Sequence, residues 1–252
     1  MELRDKDRIR AFLRRDPALH VYELGDLDDF FWPHTTWFAN DDVSAIALLY
    51  APPQVAVLAA FAREPEPLGE LVAQIATRLP PRIYVHLSPG LLHRLEPRYT
   101  ARSHGPHLKM SLVAPERLRT VDVVSVDRLG PDDAAELARF YERCYPGNWF
   151  DPRMLDTRQY FAIREAGELA AAAGIHVYSE TERVAAIGNI TTAPELRGRG
   201  FGARVTARLC LSLLEHVDLV GLNVKADNAV AIRCYERLGF AHVAPYEELA
   251  LE

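Results

Sequence analysis

Six residues, Arg197-Gly198-Arg199-Gly200-Phe201-Gly202, constrain this 252-residue chain more than any other run. The segment from Arg183 to Thr192 reads as a strand, and a helix is expected from about Gly200 to Glu215. The loop between them opens that helix. Unpaired amides of a first helical turn point outward at the positive end of the dipole, which makes such a turn an anion site. Gly198, Gly200 and Gly202 carry no side chain to keep a phosphate from the backbone. Arg197 and Arg199 bring charge to the rim and can form charge-assisted bonds to phosphate oxygens.

Three nucleotide readings compete for this loop. A Walker-type P-loop needs Gly-Lys-Ser/Thr at its end, and none is present. A dinucleotide site needs GxGxxG close behind its strand and an acid about twenty residues on. Here the glycines run GxGxG after a six-residue turn, and the next strand ends in Asn223. A coenzyme A pyrophosphate held by an RxxGxG loop fits without adjustment.

The rest of the chain narrows the field. Its net charge of -6 argues against a nucleic-acid partner, which needs a basic surface. Cysteines 144, 210 and 234 are too few and scattered for a disulfide framework or a CxxC knuckle, and a cytoplasmic setting is expected. No signal peptide is expected in the charged N-terminal stretch MELRDKDRIR. Val43 to Ala62 is apolar enough to suggest a membrane span, but Pro52, Pro53 and Gln54 at its centre predict a buried β-hairpin instead.

Both halves run helix, strands, helix, strand, helix, strand. The pattern predicts two related domains, 1–117 and 118–252, with a plausible linker at Pro115–Arg119. At the corresponding place the first half has Phe61-Ala62-Arg63-Glu64-Pro65-Glu66-Pro67-Leu68, whose prolines and acids would remove amide donors and repel phosphate. Strands are expected at Val121–Val126, Tyr160–Arg164, Ala170–Tyr178, Val217–Val224, Phe240–Val243 and Glu248–Leu251. Tyr22 to Trp37 reads as an aromatic, acidic loop.

Downstream, a helix from about Asn228 to Leu238 is expected, with Asp227 as N-cap and Gly239 as left-handed C-cap. Asn228, Ala231, Ile232 and Tyr235 share one face at helical spacing, with the amide and the phenol two turns apart. An amide and a phenol so placed could grip an amide-bearing chain and meet its thiol.

Ile190-Thr191-Thr192-Ala193-Pro194-Glu195-Leu196-Arg197-Gly198-Arg199-Gly200-Phe201-Gly202, followed by Asn223-x-x-x-x-Asn228 and Tyr235-x-x-x-Gly239-Phe240, resembles the GCN5-related N-acetyltransferase (GNAT) superfamily. The first half resembles, more weakly, tandem members such as the glycine N-acyltransferase-like group. The resemblance implies an α+β fold in an α/β three-layer arrangement, its central sheet mixed and mostly antiparallel, with the first of two domains degenerate. It implies acetyl-CoA or another acyl-CoA as cosubstrate, no metal, and a primary amine, on a small molecule, as acceptor. Backbone groups of Ile190, Thr191 and Thr192 would line the pantetheine arm. Arg197, Gly198, Arg199, Gly200, Phe201 and Gly202 would hold the pyrophosphate, Asn228 would bond the arm, and Tyr235 would protonate the leaving thiolate.

The implied reaction is direct attack by the amine, with no membrane or nucleic-acid partner. His176, Glu247 and Glu248 are candidate bases, each weighed against a structural role. Trp32, Trp37, Trp149 and the acids at 26–29 could line an amine cleft, and His104 and His107 form too short a pair to argue for metal. A non-catalytic acyl-CoA sensor is the competing reading.

Overall fold

The structure, a computed structural model, describes residues 1–53 and 56–252. Its helices are α1 (Lys6–Leu13), α2 (Val21–Gly25), α3 (Leu68–Ile75), α4 (Ala134–Cys144), α5 (Phe201–Leu213) and α6 (Ala229–Arg237). Its strands are β1 (Thr35–Ala39), β2 (Ile46–Tyr50), β3 (Val57–Ala60), β4 (Ile83–Leu87), β5 (Ala101–Leu112), β6 (Asp127–Leu129), β7 (Tyr160–Glu165), β8 (Glu168–Ser179), β9 (Val184–Thr192), β10 (Leu219–Lys225) and β11 (Phe240–Leu251). No described helix is long and apolar enough to cross a membrane. The architecture is mixed α+β, with mostly antiparallel strands and flanking helices.

The chain divides into two compact units. One comprises Met1–Met110, Val224–Asn228 and His242–Glu252; the other comprises Ser111–Asn223 and Ala229–Ala241. In the first unit the strand order is β1-β2-β3-β4-β11-β5. The β1–β2 and β2–β3 pairs are antiparallel and β3–β4 is parallel. The expected hairpin is therefore the β2–β3 pair, although Gln54 and Val55 of its connection lie outside the described residues. Helix α3 makes the crossover between the parallel strands, and its face of Leu68, Leu71, Val72 and Ile75 joins a core with Phe38, Leu58, Val85 and Leu87. β11 pairs antiparallel with β4, from Glu247–Leu87 to Leu251–Ile83.

The second unit repeats that pattern. Its order is β10-β9-β8-β7-β6, antiparallel from β6 to β9 and parallel between β9 and β10, with α5 as the crossover. The alanine-rich run Ala170–Ala173 on β8 and Val184–Ile187 on β9 are fully buried, where small and β-branched side chains pack closely between covering layers.

Three expectations need correction. Val121–Val126 is not a strand: the Asp122 carboxylate captures the Val124 amide at 3.0 Å and leaves Val124 93% exposed, so pairing begins only at β6. The two strands expected near the C-terminal end are one, β11. The aromatic stretch from Tyr22 is not all loop, since it holds most of α2 and the start of β1, where Trp37 is a buried core residue stacked 6.4 Å from Trp32.

Candidate functional site

The parallel strands of the second unit part company. β9 and β10 pair from Val184–Leu219 to Ile187–Leu222, and β9 then continues from Gly188 to Thr192 with no strand partner on that side among the described residues. Its backbone groups there form an open edge, half-exposed at Ile190, Thr191 and Thr192. On β10, the residue after Leu222 is Asn223, whose side-chain oxygen is buried without a partner among the described residues. A buried unpaired acceptor is costly and calls for a donor.

Bulges shape the opening. Between Gly188 and Thr191 the register against β8 gains a residue on β9, and between Ile175 and Val177 it gains one on β8, so the shift is undone. Bulges re-aim side chains and interrupt pairing, and they concentrate beside sites. Asn189 lies in the first bulge at φ 54°, a left-handed conformation that Asn tolerates better than most residues. Around it is a buried polar network. The Tyr141 hydroxyl donates to the Asn189 carbonyl at 2.8 Å, the Asn189 amide donates to the Tyr160 hydroxyl at 3.1 Å, and the Asn148 amide donates to the Asn189 side-chain oxygen at 3.0 Å. The Tyr160 hydroxyl in turn donates to the Ile175 carbonyl at 2.9 Å. Burial pushes both the Tyr141 and the Tyr160 phenols well above their ordinary range, so both stay protonated donors.

Gly174 and Gly188 face each other across β8 and β9. A Cβ at Gly174 would lie 2.0 Å from the Tyr160 ring, and one at Gly188 would lie 2.0 Å from the His176 ring. Each glycine makes way for a ring laid over the strand.

Beyond Thr192 a 3-10 turn at Pro194–Leu196 leads into the glycine loop. Gly198 and Gly200 both have φ +80°, and a Cβ at either would meet nothing within 4 Å. The amides of residues 198 to 203 donate to no protein acceptor among the described residues; the first helical bond is Arg204 N–H to the Gly200 carbonyl at 3.2 Å. Exposed Arg197 and Arg199 flank them. Arg197 Nε reaches the Thr192 carbonyl at 3.4 Å, and the Arg199 guanidinium lies 3.3 Å from Glu165 and 4.7 Å from the Phe201 ring centre. A run of free amides at the start of a thirteen-residue helix is a concave donor surface of positive potential.

The first unit shows the same crossover with the amides used up. At the start of α3, Gly69 N–H bonds the Pro65 carbonyl at 2.7 Å, Leu71 N–H bonds the Pro67 carbonyl at 3.3 Å, and Glu70 N–H bonds the Glu66 carboxylate at 3.2 Å. Arg94 pairs with the same carboxylate. A side chain of this loop already supplies the anion.

α6 begins at Ala229, so Asn228 precedes the helix, exposed, instead of opening its face. Gly239 closes the helix at φ +102°, where a Cβ would strike the Ala114 carbonyl oxygen at 2.2 Å. Tyr235 is half-buried, its ring 5.9 Å from Phe240. Burial pushes its phenol well above the ordinary range, with Cys234, Tyr145 and Cys210 adding to the shift. The Cys234 thiol is also pushed up by burial, which makes it a poor nucleophile.

Of the candidate bases, Glu248 is engaged inside the first unit. It accepts from the Tyr84 hydroxyl at 2.6 Å and the Tyr246 hydroxyl at 3.2 Å, and lies 3.2 Å from His107. His104 packs on Tyr84 there, at 5.1 Å between ring centres. Sequence reasoning missed Asn189 and its partners Tyr141, Asn148 and Tyr160. The available signal was the Gly188-Asn189 pair within an otherwise apolar strand, a mark of a bulge.

Residues 131–240 match the model of the Acetyltransferase (GNAT) family. No curated protein matches the chain. A solved GNAT-family protein from Novosphingobium aromaticivorans is 24% identical with TM-score 0.59, over 81% of this chain and 87% of its own. A Drosophila protein is 14% identical with TM-score 0.71, over 100% and 98%. A tandem GNAT protein from the clavulanic acid biosynthesis pathway is 14% identical with TM-score 0.59, over 99% and 97%. At these identities the likeness is one of fold.

Proposed function

We propose that the chain, whose residues 131–240 match the Acetyltransferase (GNAT) family model, moves an acetyl or related acyl group from coenzyme A to a primary amine of a small molecule, by direct attack in a ternary complex. The observation that carries this is the run of unpartnered amides from residue 198 to 203, set just past the open edge of β9. A pyrophosphate supplies the acceptors those amides lack, with Arg197 and Arg199 at its flanks. The amide-bearing pantetheine arm suits the edge of β9 at Ile190, Thr191 and Thr192, on the side that β10 leaves uncovered, and it offers a donor to the buried Asn223 oxygen. Asn228 bonds the arm as it passes the start of α6.

The acyl thioester supplies the electrophilic carbonyl. Backbone amides around Ile190 to Thr192 would stabilise negative charge on its oxygen, without reorganisation during reaction. Tyr235, kept protonated by burial, delivers a proton to the departing sulfur. No metal takes part in this scheme.

Titration calorimetry with acetyl-CoA, followed by thiol release over a panel of amines, tests the reading. Binding heat and amine-dependent thiol release are expected. Thermal stabilisation by NAD but not by coenzyme A would overturn it. Binding with no thiol release across the panel would favour an acyl-CoA sensor.

A further inference from the structure

His176 lies in the β8 bulge, opposite Ile187 and Ala186, and its ring occupies the space a side chain at Gly188 would need. Gly188 is the first residue of β9 beyond its pairing with β10. The imidazole therefore rests on the mouth of the open edge. On its other side is Trp149, with ring centres 6.1 Å apart at 42° and 38% of the tryptophan exposed. The Asn148 bond to Asn189 ties this loop to the neighbouring β9 bulge, and Phe150 anchors it against Tyr141 and Tyr160 at 5.2 and 5.7 Å.

We infer that His176 is the proton acceptor for the attacking amine, with Trp149 as the wall along which the rest of that amine lies. The inference rests on the acyl-transfer reading. The amine nitrogen forms its bond to the carbonyl carbon, the carbon–sulfur bond breaks, one N–H proton passes to the imidazole, and the sulfur takes the Tyr235 proton. Exchange with water then returns imidazolium and phenolate to their resting forms.

Of the titratable groups in the adjoining β9 network and loop, Tyr141 and Tyr160 are phenols held protonated by burial. Asp151, next along the loop, is kept below the usual carboxylate range by its bond to Arg153. None of these exchanges a proton near neutrality, which leaves the transfer to the imidazole.

The test uses the full chain, acetyl-CoA and 2-phenylethylamine, a primary amine with a ring to set against Trp149. His176→Gln is expected to keep acetyl-CoA affinity, lose roughly 100-fold in kcat and lose the rising limb of the pH–rate profile. In the wild type, the His176 ring resonance, assigned by its loss in His176→Gln, is expected to shift when acetyl-CoA binds. Gly188→Ala, which pushes the ring aside, should reproduce the kinetic loss. A His176→Gln enzyme with the wild-type rate and pH profile overturns the inference. So does calorimetric binding of acetyl-CoA that leaves the ring resonance unmoved, and this second arm decides should the chosen amine not turn over. Absence of binding heat would instead remove the acyl-transfer reading, and this inference with it.

Discussion

Replacing Gly200 by glutamate separates electrostatics from strain at the glycine loop. A Cβ there meets nothing within 4 Å, so the variant loses no packing, but φ +80° imposes about 1–2 kcal/mol on any L side chain. The new carboxylate would sit beside amides that no protein group uses. One like-charge pair at about 4 Å costs roughly 1 kcal/mol in water-like surroundings and about 4 at an effective dielectric constant near 20. An exposed loop facing two phosphates falls between these limits, at about 2–4 kcal/mol, or roughly 30- to 1000-fold in Kd. Gly200→Ala carries the same strain without the charge and is expected to stay within about tenfold of wild type. Calorimetry with coenzyme A reads the affinities, and a thermal melt reads the shared strain as a drop of several degrees in Tm. A folded Gly200→Glu protein that binds coenzyme A like the alanine variant would refute the assignment of the pyrophosphate to these amides.

Three further outcomes are expected. Tyr235→Phe should retain cofactor affinity yet lose on the order of 100-fold in kcat, and because burial raises this phenol, wild-type activity should show no Tyr235-dependent fall up to pH 10. Asn189→Ala should destabilise the protein by roughly 2–4 kcal/mol in urea titration, since it removes one buried and one partly buried hydrogen bond and puts alanine at φ 54°; Asn189→Gly should recover only the backbone part. Burial lowers His86 to about 4, so between that pH and about 6.5 the unfolded chain takes up a proton that the folded one refuses. Stability should therefore fall as pH drops through this window, by up to roughly 3 kcal/mol, and denaturation of His86→Gln at pH 7 and pH 5 should show a flatter dependence.

The glycine loop, α5 and the Gly239 cap were legible because each is specified locally. Alternating glycines, a strand before them and a left-handed residue after α6 all leave marks within a few positions. The β9 bulge was half-legible, since Gly188-Asn189 interrupts an apolar strand, but the compensating bulge at His176 exists only once β8 and β9 pair. Val121–Val126 has the β-branched content of a strand, and only the Asp122 turn, with Arg204 bonded to Asp122 and Ser125, keeps it out of the sheet. Self-capping of α3 by Glu66 agrees with the repulsion read from that loop's acids, and the sequence did not reveal that the acid bonds its own helix. β11 shows most clearly where local reading stops. Its residues read as strand, but alternation along a strand cannot say which distant neighbours it joins.

That placement of β11 has a consequence for synthesis. The sheet seated in the N-terminal half needs a plank that the ribosome makes long after β4 and β5. Until residues 242–252 emerge, those two strands have raw edges open to any passing chain. A fragment cut at residue 117 would stay in that condition permanently, and is expected to aggregate more readily than the whole chain.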